Sequence, residues 1–297
     1  MSHSNSESTG TQANAGTVRY PEMQHTLDRA LYHPLAARLA RVLAPTFVSA
    51  NMVSVAGGLI VVLAAIIYVQ PFWPLAALLG LLVHMSWHVL DGADGDLARM
   101  KGTAGRTGEI VDGLCDYASH IALYLILAGA SFATIGWLAW AMAVAAGCSR
   151  IVQSNFHEVR RRQYLYWVHG KPWLGVDQEE LTPSGFGWAT TAYLGVAQLF
   201  SPAEPDIDRA VREQDLRGRI AQVLRAEGPK ALAGSSLLGA NSRTLVLGAS
   251  MLAGSPLWFF VYEAFVLNGV LAVGIRRSRK TLAQLRSSVH LTPSTRR

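Results

Sequence analysis

Apolar residues in this chain run in long unbroken blocks, not in the alternating or one-sided patterns of a water-soluble fold. A membrane helix needs about 20 mostly apolar residues at 1.5 Å rise each. The stretch 48–68 meets that need, Gln70-Pro71 breaks it, and 72–90 forms a second span. The stretch 112–130 makes a third, polar at its start, and 135–152 a fourth. After a long polar interval, 237–253 and 256–275 form a closing pair joined by Gly254-Ser255. The fifth span is short and carries Asn241 and Arg243 in its first half. Residues 31–43 read as an amphipathic helix leading into the first span, and 206–232 as charged helix in solvent. The expected fold class is an all-α integral membrane protein. It has six transmembrane helices, an N-terminal amphipathic helix, and a cytoplasmic helical insert between spans four and five.

The connections set the orientation. Residues 69–71, 131–134 and Gly254-Ser255 hold no charge, whereas the opposite side gathers Arg29, Arg38 and Arg41, then Arg99, Lys101 and Arg106. Arg160, Arg161 and Arg162 follow there, and Arg276, Arg277, Arg279 and Lys280 complete it. Cytoplasmic loops carry the Lys/Arg excess. Both termini and the insert are therefore expected inside a bacterial inner membrane, with the polar site facing the cytoplasm. Residues 185–200 compete as a seventh span, but Pro183 and Pro202 bracket them closely and a further crossing would send the basic C-terminus outside. A helix lying on the membrane surface is the preferred expectation there. The first 18 residues are rich in Ser, Thr, Asn and Gly without the apolar core of a signal peptide. The expected organisation is a disordered tail over 1–30, amphipathic helix and spans 1–4 over 31–154, and the insert over 155–236. Spans 5–6 occupy 237–280, and a basic tail covers 281–297.

Composition agrees with this layout. The chain is 51% hydrophobic and 15% charged, against roughly 25% charged in soluble domains, and its mean hydropathy is +0.24. In that setting the net charge of +6 is topological, and no nucleic-acid partner is expected. Cys115 and Cys148 lack metal-type spacing and read as two buried reduced thiols. Trp73, Trp137, Trp140 and Trp258 fall near the outer boundary and read as interfacial anchors.

At the inner end of the second span the sequence runs DGADGDLARMKGTAGRTGEIVDGLCD. Asp91, Asp94, Gly95 and Ala98 share one helical face, and Gly108, Asp112 and Asp116 recur every four residues on the next helix. Two helices presenting two carboxylates each can surround a pair of cations. A carboxylate within a span costs about 2.5–3.5 kcal/mol, and four neighbours repel one another. Cations between them offset both penalties, and oxygen-only ligands select a hard metal, Mg²⁺ first and Mn²⁺ second.

The spacing D-x2-D-G-x2-A-R-x8-G-x3-D-x3-D is similar to the signature of the CDP-alcohol phosphatidyltransferase family at every fixed position. Eight fixed identities arise at a given start by chance on the order of 10⁻¹⁰ of the time, so the pattern is specific. The resemblance implies a metal-dependent phosphotransferase. Its reaction moves a substituted phosphate from a CDP-linked donor, CDP-diacylglycerol, to an alcohol acceptor with release of CMP. By the same resemblance Asp91, Asp94, Asp112 and Asp116 would hold Mg²⁺ or Mn²⁺, two ions in all, and Asp116 would act as base on the acceptor hydroxyl. Asp91 and Asp94 would also border the nucleotide's diphosphate, which Arg99 would contact. Gly95, Ala98 and Gly108 would leave room for the cytidine nucleotide. The family's Pro-Asn-x-x-Thr start to the first span reads Ala50-Asn51-Met52-Val53-Ser54 here, so Asn51 and Ser54 carry over as nucleotide-side positions without the Pro. The implied partners are the donor, the alcohol and membrane lipids, and a homodimer is admitted.

Independent chemistry points the same way, since breaking a phosphoanhydride requires charge neutralisation and a deprotonated nucleophile. Arg150 and Arg243 near the inner ends of spans four and five are either positive-inside anchors or an acceptor-phosphate or headgroup pocket. His120 continues the Asp112–Asp116 stripe as a cavity or orienting residue. His84 and His88 line the cavity, Asp96 is a solvated carboxylate, and residues 160–162 are topological or attracted to anionic lipid. A soluble CDP-alcohol acting on a lipid alcohol such as diacylglycerol or ceramide is the alternative within the enzyme class. A divalent-cation transporter is the alternative outside it, opposed by carboxylates gathered at one interface rather than at midplane.

Overall fold

The computed structural model describes residues 20–171 and 204–290, and all regular structure among them is helical. The expectations for 1–19, for the interfacial segment 185–200 and for 291–297 lie outside the described residues. A π-helical turn, Asp28–Tyr32, runs into α1 (His33–Leu43), which buries Ala36 and Ala40 against Val53, Ala93 and Leu97. Ser49 caps α2 (Ala50–Tyr68), its Oγ accepting the Met52 N–H at 3.2 Å. α3 (Leu75–Met100), α4 (Arg106–Ile135) and α5 (Trp137–His169) follow. Three short helices come next: α6 (Pro205–Arg212), α7 (Gln214–Glu227) and α8 (Pro229–Ala233). α9 (Ala240–Leu252) and α10 (Leu257–Val261) lead through a second π turn, Tyr262–Val266, into α11 (Leu267–Ser288).

Four stretches are long and apolar enough to cross a membrane: Ala50–Tyr68, Leu75–Met100, Thr107–Ile135 and the continuous run Leu257–Ser288. The expected fourth and fifth spans are helical but differ from these. α5 has 33 residues, roughly 50 Å of helix, and becomes polar after Cys148. α9 has 13 residues, roughly 20 Å, short of the roughly 30 Å of bilayer hydrocarbon.

One core lies between these helices. Ala64, Ala65, Ala77, Ala128, Ala143 and Ala146 are buried there beside Trp87, Tyr124, Phe259 and Phe260. Small residues let helices approach where lipid supplies no hydrophobic drive. A Cβ on Gly80 would sit 2.5 Å from the buried Tyr68 ring, which leaves room only for glycine, and one on Gly248 would sit 2.6 Å from the end of the Leu81 side chain, which would have to shift. Leu59, Leu82, Leu125, Leu138 and Phe265 face outward, as lipid contact demands. Among the tryptophans, Trp73, Trp137 and Trp258 are exposed, but Trp140 packs on the core instead of anchoring at the boundary. Both cysteines are free, and neither is buried as expected: Cys115 is half-buried and Cys148 exposed.

A second core draws residues from both sides of the expected boundaries. Tyr164, Trp167 and Val168 extend α5 into what was expected to be the insert, and pack on Ile207, Val211, Ile220 and Leu224. Residues 206–232 are helical with Arg209, Arg212, Arg217, Arg219 and Arg225 exposed, as expected, but they also bury an apolar face in this core. Leu282 and Leu285 join the same core, so α11 absorbs the start of the expected C-terminal tail. Residues 20–30, expected as disordered tail, are tied down. Glu22 pairs with His169 at 2.9 Å, Tyr20 stacks on His169 at 3.6 Å, and Asp28 accepts from Asn241 at 2.7 Å.

Ion pairs seal this core. Arg160, expected as an exposed topological charge, is buried and bonded to Glu204 at 3.1 Å. Arg286 grips Asp206 at 2.6 and 3.2 Å. Burial alone would raise the Asp206 carboxyl, but Arg286 holds it below its ordinary value. A depressed carboxylate contributes stability above its unfolded pKa of about 3.9 and loses it as pH falls through the folded value. Thermal unfolding should therefore separate the wild type from Asp206→Asn at about pH 7, with the gap closing toward about pH 3. A gap that does not depend on pH would mean the Arg286 pairing is not its source.

Candidate active site between α3 and α4

α2 packs against both α3 and α4, which are joined by residues 101–105, so the stripe on each helix is fixed relative to a common support. One carboxylate oxygen from each of Asp91, Asp112 and Asp116 lies within 4.8 Å of the others. Asp94, one turn beyond Asp91, stands beside Asp112, their carboxyl groups in hydrogen-bonding contact. Carboxylates that close repel unless a proton or cation sits between them. Asp94 is further held by Ser54, whose Oγ donates to Oδ2 at 2.6 Å, and by the Gly95 N–H at 2.5 Å. Asp116 Oδ1 accepts from Trp87 Nε1 at 3.2 Å. The Asp116 carbonyl accepts from His120 Nδ1 at 2.8 Å, and the His120 ring lies 4.9 Å from Trp87.

The flanking positions divide. Asn51 Oδ1 lies 3.9 Å from where a Cβ on Gly108 would be, so Asn51, Ser54 and Gly108 do come together beside the aspartates. Ala98 sits half-buried one turn past Asp94 on α3. Arg99 instead folds back over Gly95 and pairs with Asp96 at 2.7 Å. Asp96, expected as a solvated carboxylate, is only 3% exposed, because α3 turns it inward.

Arg150 and Arg243 share one partner, Glu263 of the second π turn, rather than facing lipid. Arg243 is fully buried, pairs with Glu263, and donates to Gln153 Oε1 at 3.0 Å and the Leu238 carbonyl at 3.2 Å. Gln153 in turn donates to Asn268 at 2.9 Å. Arg150 is 3.9 Å from Glu263 and also acts electrostatically on Asp116, so it links this network to the aspartates. Arg243 is thus held inside the helix bundle by Glu263, Gln153 and the Leu238 carbonyl. The lone Glu263 in an otherwise apolar span was the signal for this pair. Trp87 gave no signal, since a tryptophan in a span reads as apolar. His88 bonds Thr244 at 3.0 Å and stacks on Tyr32, and His84 lies close to Trp87 and His120. Neither joins a metal-type cluster among the described residues.

Residues 47–174 match the family model of CDP-alcohol phosphatidyltransferase. The matched stretch runs from the start of α2 through α5 and contains the whole aspartate site. Over those residues the chain is similar to that family, which is a transferase class, and its apolar helices agree with an integral membrane protein. No curated protein matches the chain. The family is divalent-metal-dependent, and the donor set fits: converging hard oxygens with no nitrogen or sulfur ligand among them.

Breaking a buried ion pair by removing one partner costs about 3–5 kcal/mol, whereas replacing both can be neutral. Arg243→Met should lose most thermal stability in detergent, and Arg243→Met with Glu263→Met should recover much of it. A stable Arg243→Met protein that had lost only substrate affinity would return Arg243 to the ligand site.

Proposed function

We propose that the protein transfers a substituted phosphate from CDP-diacylglycerol to an alcohol acceptor, releasing CMP at the cytoplasmic face of a bacterial inner membrane. The convergence of Asp91, Asp112 and Asp116 on one point carries this reading, with Asp94 beside it. These four would hold Mg²⁺ or Mn²⁺, two ions by the family's pattern. Bound there, the metal supplies charge neutralisation on the donor's diphosphate. Asp116 takes the proton of the acceptor hydroxyl as that oxygen bonds to the lipid-side phosphorus. The bond from this phosphorus to the bridging oxygen breaks, and its electron pair leaves with CMP. Trp87 holds one oxygen of Asp116, which supports leaving the other for the proton. His120 fixes the turn of α4 that presents Asp116.

Asn51, Ser54 and Gly108 border the nucleotide, Gly95 and Ala98 leave it room, and Arg99 exchanges Asp96 for the diphosphate. Arg150, half-buried and acting electrostatically on Asp116, faces the acceptor side. The first half of α5 and the short α9 complete six spans. The basic ends of α1, α3, α5 and α11 then all lie in the cytoplasm.

Transfer should vanish in EDTA and return with Mg²⁺ or Mn²⁺. Asp91→Asn, Asp94→Asn and Asp112→Asn should lose donor binding and turnover together. Asp116→Asn should keep measurable donor binding by calorimetry while kcat falls by about 10²–10⁴. Near-native kcat in Asp116→Asn would move the base to another group, and full activity in chelator would end the metal reading.

A further inference from the structure

A groove of about 500 Å³ opens between α8, the connection 234–239 and the final membrane-crossing run, and no residue of the aspartate site lines it. Its walls divide by chemistry along one axis. Val266, Val270 and Val273 recur at helical spacing on one wall, and Leu237 lies on the other. Val266, Val273 and Leu237 are exposed, although each is a large apolar side chain. Beyond Gly274 the same helical face ends in Arg277, and Lys230 and Ser235 close that end from the opposite wall.

Two cations stand at this end. Lys230 and Arg277 are both exposed and, among the described residues, neither has a carboxylate partner, so each can face an anion in the groove. Ser235 Oγ accepts the Leu237 N–H at 3.2 Å, which leaves its own proton for another acceptor. From Val266 to Arg277 the groove runs roughly 16 Å along the helix, about the hydrocarbon depth of one leaflet. An occupant needs an apolar tail one leaflet deep and an anionic head that accepts from Lys230, Ser235 and Arg277.

We infer that this groove binds a single anionic phospholipid, its acyl chain against Val266, Val270 and Val273 and its phosphate at Lys230 and Arg277. The bound lipid wedges α8 and the 234–239 connection against α11. Gly234 and Gly274 meet there on Phe156 of α5, so the lipid braces the joint between the membrane core and the second core. This site does not depend on the proposed transfer reaction.

The test is native mass spectrometry of the full chain in detergent, titrated with phosphatidylglycerol or phosphatidylcholine, with inorganic phosphate as competitor. Wild type and Asp112→Asn should both retain one phosphatidylglycerol, which separates this site from the transfer site. Lys230→Ala with Arg277→Ala alters exposed positions. It should weaken retention roughly twenty-fivefold, from about fivefold for each cation beside an anionic headgroup. Val270→Trp should abolish retention by filling the groove, with circular dichroism confirming the helices. Unchanged phosphatidylglycerol affinity in the charge variant would overturn the inference. So would equal retention of phosphatidylcholine, or displacement by millimolar phosphate, which would mark a free-anion site.

Discussion

Four carboxylates crowded at the end of two membrane helices are the constraint around which this molecule is organised. In a medium that solvates charge poorly, each is unfavourable alone and all four repel one another. Asp94 and Asp112 touch, and Asp91, Asp112 and Asp116 converge within 4.8 Å. Such an arrangement persists only if protons or cations sit between the carboxylates and the surrounding helices cannot spread. The surrounding structure supplies the second condition. Ser54 on α2 fixes Asp94, and Trp87 and His120 fix Asp116, so three helices hold the site by direct bonds.

Stiffness then extends outward in two cores. The membrane core is dominated by small residues, which bring backbones close and hold α2, α3 and α4 in register. The second core anchors the polar ends of α5 and α11, and buried ion pairs around Arg160, Glu204 and Arg286 fix its helices. The Arg243–Glu263–Gln153 network lies between the two, and Arg150 connects it to Asp116. The buried arginines Arg160 and Arg243 are therefore each paired with a buried glutamate.

The sequence made the membrane spans and the aspartate site legible for physical reasons. Long apolar blocks allow few other structures, and carboxylates at helical spacing at the end of a span demand compensation. Asn51, and Ser54 in place of the motif's Thr, lie beside the aspartates even without the preceding Pro. What it concealed depended on partners distant in the chain. Asp96 looked solvated although Arg99 pairs with it, and Arg243 read as an anchor or a headgroup contact, with nothing local to announce Glu263, twenty residues on, as its partner. Residues 206–232 looked like solvated helix because charge hides the small apolar stripe of Ile207, Ala210 and Val211. The ordering of residues 20–30 rests on Glu22, Asp28 and Tyr20 meeting α5 and α9, which no local pattern announces.

The central claim is that the converged carboxylates hold divalent metal through oxygen alone. Electron paramagnetic resonance of Mn²⁺ added to the purified protein tests it without any substrate. The account predicts bound Mn²⁺ with no nitrogen coupling, displaced by excess Mg²⁺ and lost in Asp91→Asn and Asp112→Asn. Nitrogen coupling from a histidine, or a bound signal unchanged in both variants, would contradict it.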